Sequence, residues 1–182
     1  MNLYTLGVPH TVIVDDFLPV QLTVSATKKL EYVTLFSHLG EDDSLWGAIL
    51  EKAFAKVYGN YSHLVSGDPR DAARALNGSP STLFSHRKQS NTVDFMWKQL
   101  VRHDANNELM FYTTYRIKGA KRNSCGLQGG HAYVVLKALQ LSNGAKLVQI
   151  RNPIGREKYT CAYSDESDKW TPELRREAGL TE

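Results

Sequence analysis

Cysteine is scarce in this sequence: Cys125 and Cys161 are the only two among 182 residues, and they form no C-x-x-C pair. That excludes a disulfide-stapled scaffold and a cysteine-based zinc site. It makes a reduced, cytoplasmic or otherwise intracellular setting the simplest expectation, with both thiols inert. The six histidines are scattered without an H-E-x-x-H helix, so no paired metal ligands stand out. No apolar run approaches the ~20 residues of a membrane span, and Met1 to His10 lack the apolar stretch of a signal peptide. Excess charge is lacking too. The net charge of +3 gives no reason to expect nucleic acid as a partner, and a solvated loop accounts for the small cluster of Lys118, Lys121 and Arg122.

What is present is an ordinary globular balance. Apolar residues make up 42% and charged residues 23%, enough for one domain over residues 1–182 with a real core. Val12-Ile13-Val14 reads as a strand running into a turn at Asp15, Asp16 and Pro19, and Lys29 to Phe36 as another strand. Glu41, Asp42 and Asp43 precede Ser44, a good N-cap. Leu45, Ile49, Leu50, Ala53, Phe54 and Val57 then recur at helical steps up to Gly59. Asp68-Pro69 opens a second helix that stops near Asn77-Gly78, and a third runs from about Thr92 to His103. After residue 107 the pattern changes. Glu108 to Ile117 is rich in Tyr, Thr and Phe, and a glycine-rich loop spans 119–130. Two apolar runs follow, His131 to Leu141 and Lys146 to Arg151, with the hairpin signal Asn143-Gly144 between them and Pro153 and Gly155 after them. Helices mainly in the N-terminal half, followed by an antiparallel β-sheet, predict an α+β fold.

The hairpin brings two polar residues to one edge. His131 begins its first strand and Asn152 follows its second. A tight turn places Asn152 opposite about Val135, and a wider loop or a bulge brings it closer to His131. Such a pair suits acyl transfer to cysteine. A thiol needs a histidine to take its proton, and the histidine needs a group on its other ring nitrogen to fix tautomer and orientation. A neutral amide oxygen serves in the Cys-His-Asn form of the triad. Gly129 and Gly130 let the backbone pass close to a substrate beside the histidine. On these residues alone the question stays open, because a histidine opening a strand is commonly structural and an Asn before proline commonly forms a turn.

The strings around the pair are more specific. Gly126-Leu127-Gln128-Gly129-Gly130-His131-Ala132-Tyr133-Val134-Val135 resembles the calpain segment that carries the catalytic histidine, and Ile150-Arg151-Asn152-Pro153-Ile154-Gly155 resembles the segment that carries the catalytic asparagine. Ala162-Tyr163-Ser164-Asp165 with Trp170 resembles a further W-S-D…W stretch. Upstream, Val14-Asp15-Asp16-Phe17-Leu18-Pro19 is similar to the family's V-D-D-x-L-P strand, and Trp46 with Leu50-Glu51-Lys52-Ala53-Phe54-Ala55-Lys56 is similar to its W-x-x-L-L-E-K-A-Y-A-K helix. The ordered matches cover about residues 12 to 170 and resemble the second, histidine-bearing subdomain of the calpain protease core, a papain-like half-fold.

The resemblance implies an intracellular, calcium-dependent cysteine endopeptidase acting on protein or peptide substrates, with His131 as general base and Asn152 as its orienting partner. Nothing before Val12 resembles the family's cysteine-bearing segment, so a Cys-bearing protease subdomain, in the same or another chain, is the implied partner, and this chain alone is expected to be inactive. The alternative is a catalytically inactive calpain-like protein-binding module. Ile154 stands where the family has a tryptophan, and Lys158 where it has a calcium-binding glutamate. Asp165 aligns with one carboxylate ligand, an incomplete site for an ion that takes six to eight oxygens. No cofactor is required by this chain itself.

Overall fold

A computed structural model of the protein describes residues 1–40, 42–155 and 159–180. Helices and antiparallel sheets make a mixed α+β architecture. Two compact units, Met1–Thr82 and Leu83–Glu182, divide the chain that length and composition suggested to be one domain.

The first unit opens with a hairpin of β1 (Asn2–Thr5) and β2 (Val8–Thr11), turned at Leu6 and Gly7, which both take positive φ. The strand expected over Val12-Ile13-Val14 is therefore displaced upstream. Pro9 hides β2 from a propensity reading, yet in a two-stranded ribbon its missing N–H faces an open edge. Val12 instead packs its side chain with Leu3 and Ala53 in the unit's core. A second hairpin pairs β3 (Val20–Val24) with β4 (Leu30–Thr34), the latter inside the segment read as a strand.

Helix α1 (Trp46–Tyr58) buries Ala48, Ala53 and Ala55 and ends at Gly59 with φ of 102°, as its spacing predicts. Its start is different. Leu45 occupies the N-cap position with no side-chain cap, while the Ser44 N–H donates to Asp42 Oδ1 at 3.1 Å. The acidic run builds a turn ahead of the helix instead of capping it, and Glu41 lies outside the described residues. The two matched motifs of this unit hold each other. Lys52 pairs with Asp15 and donates to the Phe17 carbonyl, Lys56 donates to the Ile13 carbonyl, and Glu51 accepts from the Ser37 N–H. Charged side chains on one helix thus tie down the Val12–Pro19 segment. A single 3-10 turn, Tyr61–Leu64, precedes α2 (Pro69–Asn77), where Asp68 caps through Arg70 N–H and Gly78 closes in the left-handed region.

In the second unit Thr92 caps α3 (Val93–Ala105) by accepting from Phe95 N–H. Three strands, β5 (Met110–Thr113), β6 (Ala132–Gln140) and β7 (Lys146–Arg151), form an antiparallel sheet with β6 in the middle. A short helix, α4 (Pro172–Ala178), follows, capped by Thr171 and closed by Gly179. It escaped the sequence reading because two turns are too short for periodicity to show. It packs Leu174 and Ala178 on Leu141 at the turn end of β6 and β7, with Leu139, Leu147, Tyr163 and Trp170 around them.

Replacing Asp68 by Ala should destabilise the first unit by about 1 kcal/mol, the usual worth of an N-cap, read as a lower urea midpoint. The Arg70 guanidinium, hydrogen-bonded to Asp68, holds that carboxyl below its ordinary range. The contribution is therefore present above the unfolded pKa of ~3.9 and is lost as pH falls through the lower folded value.

Candidate active site

The register of β6 and β7 decides where His131 and Asn152 meet. The turn is wider than Asn143-Gly144 alone would give: the Leu141 N–H donates to the Ala145 carbonyl and Gly144 takes φ of 85°, so residues 142–144 form a three-residue loop. Farther along, Val135 pairs with Ile150 but Lys137 with Gln149, which leaves Leu136 as a bulge. Each irregularity moves β7 one residue relative to β6. Arg151 thus pairs with Val134, and Asn152 comes beside Tyr133 instead of Val135. The two irregularities bring His131 and Asn152 into contact, with the ring Nε2 2.9 Å from Asn152 Oδ1.

That oxygen accepts a second hydrogen bond, from the Ile154 N–H at 3.0 Å. A backbone N–H can only donate, so the atom it meets is the amide oxygen. Nε2 must then carry the hydrogen that it shares with Asn152, and Nδ1 is left with the lone pair. The tautomer follows from connectivity: Nδ1 is the basic nitrogen, and it has no protein partner among the described residues. The amide Nδ2 of Asn152 is buried and makes no hydrogen bond among the described residues.

The histidine backbone is held as closely as its ring. Thr114, next after β5, accepts from the His131 N–H at 3.0 Å and bonds the Gln128 carbonyl through the same hydroxyl, and its own N–H donates to the His131 carbonyl. Tyr133, 2% exposed, sets its ring edge-on to the imidazole at 4.8 Å between centroids and accepts from the Gln128 N–H through its hydroxyl. The sequence reading gave neither residue a role at the site, although Tyr133 stands in the matched string. Thr114 was discoverable once β5 was paired, since Thr113 lies opposite Ala132. The glycines are close-approach positions, as expected: a Cβ on Gly129 would sit 3.0 Å from the Ile117 nitrogen, and Gly130 takes φ of 67° against the Arg116 stem.

One expectation changes. The cysteines are not two inert thiols: Cys125 and Cys161 form a disulfide. It ties the loop that precedes His131 to the segment that follows Asn152, and the Thr160 N–H adds a bond to the Cys125 carbonyl. The loop side is organised by Asn123, whose side-chain oxygen accepts from the Cys125 and Leu127 N–H groups. The side chain of Ile154 is 54% exposed, so this residue serves the His–Asn pair mainly through its N–H.

Among the described residues no group of three or more His, Cys, Asp or Glu side chains gathers. Asp165 stands exposed on a turn, with its carbonyl taken by the Arg175 guanidinium at 2.6 Å. Lys158 lies outside the described residues.

A histidine with its proton fixed away from its basic nitrogen and held by an asparagine oxygen has the geometry that the Cys-His-Asn form of the triad calls for. Residues 1–182 match the sequence model described as "Calpain family cysteine protease". This chain belongs to the calpain family. It is 32% identical over 169 residues to the Calpain-type cysteine protease ADL1 of Oryza sativa subsp. japonica, covering 90% of this chain and 7% of that protein. It is 30% identical to human Calpain-7 over 179 residues, 97% of this chain and 21% of the relative. The Calpain-1 catalytic subunit of Macaca fascicularis is 30% identical over 181 residues, 93% of this chain and 23% of the relative. The chain therefore spans less than a quarter of the length of these three relatives.

Opening the disulfide removes a cross-link between residues 36 apart, which the chain-entropy argument values at about 3–4 kcal/mol. A Cys125→Ser/Cys161→Ser double variant should lose stability of that order in urea unfolding, and its His131 ring resonances should broaden or shift.

Proposed function

We propose that this chain supplies the general base and its orienting amide to a calpain-type cysteine endopeptidase whose nucleophile lies outside these residues. The supporting observation is the double acceptance at Asn152 Oδ1, which assigns the basic nitrogen of His131. Neither local cysteine suits the nucleophile's role, because each is spent on the other.

In the proposed reaction Nδ1 of His131 takes the proton of a cysteine thiol supplied by a second protease segment. The thiolate attacks the substrate carbonyl, and the C–N bond breaks as the imidazolium returns its proton to the departing amine. Water then adds to the acyl-enzyme with Nδ1 as its base, and the carboxylic product leaves as the thiol is re-formed. Asn152 keeps the ring oriented through both proton transfers without adding a charge. The chain alone has no nucleophile and is proposed to be inactive on peptides.

Calcium dependence, where the family implies it, is assigned to segments other than this one, since the donors here do not fit. The exposed Ile154 and the paired cysteines favour one second reading, a calpain-like module that binds protein segments without cleaving them. An intracellular place, implied by the family resemblance, carries a condition: the Cys125–Cys161 bond has to form there. Among the described residues no helix is long and apolar enough to cross a membrane.

Mixing this chain with a cysteine-bearing calpain half should restore cleavage of a fluorogenic peptide, and His131→Ala should remove it. Cleavage that survives His131→Ala would refute the assigned role, and no cleavage in any pairing would favour the binding module. In calorimetry the isolated chain should show no calcium site tighter than about millimolar, given so few carboxylate donors.

A further inference from the structure

Between Leu109 and Gly155 the sequence holds seven lysines and arginines and no aspartate or glutamate. This carboxylate-free stretch contains the whole three-stranded sheet, His131 and Asn152. The net charge of the full chain is only +3, so the acidic residues are concentrated elsewhere and the site's surroundings are polarised.

Three of the seven cations line one feature. An open groove of about 990 Å³ is lined by Arg116, Lys121 and Arg122, with Ile117, Gly129 and Gly130 among its other walls. Gly130 leads directly into His131. Lys118, Lys121 and Arg122 are exposed, as a solvated loop requires, and the loop's backbone is pinned. The Gly129 N–H donates to the Lys121 carbonyl, Arg122 bridges Gln128 in antiparallel fashion, and the Asn123 N–H donates to the Leu127 carbonyl. The disulfide anchors the loop through Cys125. Neither Arg116 nor Lys121 has an ion-pair partner among the described residues, and both are exposed. Arg116 and Lys121, exposed along a groove that has no carboxylate in its described lining, favour an anionic occupant.

We propose that this groove is a subsite for acidic side chains of the substrate segment that lies beside His131. The proposal rests on the proteolytic reading for its orientation. The histidine returns its proton to the departing amine, so the segment on its side is the one C-terminal to the scissile bond. Aspartate or glutamate within a few residues after that bond would reach Arg116 and Lys121. The preference for acidic peptides is carried by the groove itself and does not require cleavage.

Binding therefore tests it separately from activity. The probes are three rhodamine-labelled peptides of one length, bearing Glu, Gln or Lys at the same positions, titrated by fluorescence anisotropy into the 182-residue chain. At about 50 mM salt the Glu peptide should bind about fivefold or more tighter than the Gln peptide, and the difference should shrink at about 500 mM salt. Lys121→Glu and Arg116→Gln, checked for an unchanged thermal melt, should each reduce the preference, and Lys121→Glu should raise affinity for the Lys peptide. Equal binding of the Glu and Gln peptides, or a full preference in Lys121→Glu, would overturn the proposal. So would a DNA oligomer that displaces the Glu peptide and binds more tightly, which would make the groove a polyanion site. His131→Ala should keep the acidic preference even though it removes cleavage, so failure of the subsite and failure of the proteolytic reading give different results.

Discussion

One oxygen atom fixes how the His131 ring is held. Asn152 Oδ1 accepts from both the His131 ring and the Ile154 N–H, and because the second donor is backbone, the direction of the first bond is not negotiable. A side-chain amide can turn over and offer nitrogen instead of oxygen. Here that flip would set an NH₂ group against a backbone N–H and lose a hydrogen bond in a partly buried place, at a cost of about 1–3 kcal/mol. The histidine is thereby held in one tautomer before any substrate or thiol arrives, and that preorganisation is what a proton-transfer site requires.

The contact depends on departures from ideal sheet geometry. In a hairpin with a two-residue turn and no bulge, Asn152 would stand two residues from where it is found. A three-residue loop contributes one step and the Leu136 bulge the other. A bulge also increases local twist and leaves its extra residue unpaired, so the central strand β6 gives up one ladder position at Leu136 and Asn152 comes one residue closer to the histidine. Thr114 and Tyr133 then fix the backbone entering the strand, so ring and main chain are constrained from opposite sides.

How much of this the sequence showed depends on what each feature leaves in a linear pattern. Three long helices were legible from spacing and end residues: Gly59, Asp68 with Gly78, and Thr92 stand where expected. The Asn152 partnership was legible from family strings and only approximately from register, since a bulge leaves no mark in an apolar run. The N-terminal hairpin was masked by Pro9, and α4 by its brevity. Ser44 looked like a cap because composition cannot show that Asp42 would bond its N–H first. The disulfide was missed because pairing requires two loops to meet across 36 residues, and sequence spacing holds no information about loop paths.

The placement of the core explains why the site needs so many local constraints. The cluster of Leu141, Leu174 and Ala178 lies at the turn end of β6, whereas His131 lies ten residues away at the other end, roughly 30 Å along an extended strand. Apolar burial of that cluster cannot hold the His131 end directly. Near the histidine only Tyr133 and Val135 are buried on the strand, and the rest of the restraint comes from hydrogen bonds and the Cys125–Cys161 link. Hydrogen bonds of this kind contribute about 1 kcal/mol each and are open to competition from water. A covalent link between the two loops that flank His131 and Asn152 limits how far those loops can separate when such bonds break. The site end is therefore tied together by polar and covalent contacts beside Tyr133 and Val135, while the opposite end gathers the Leu141, Leu174 and Ala178 cluster.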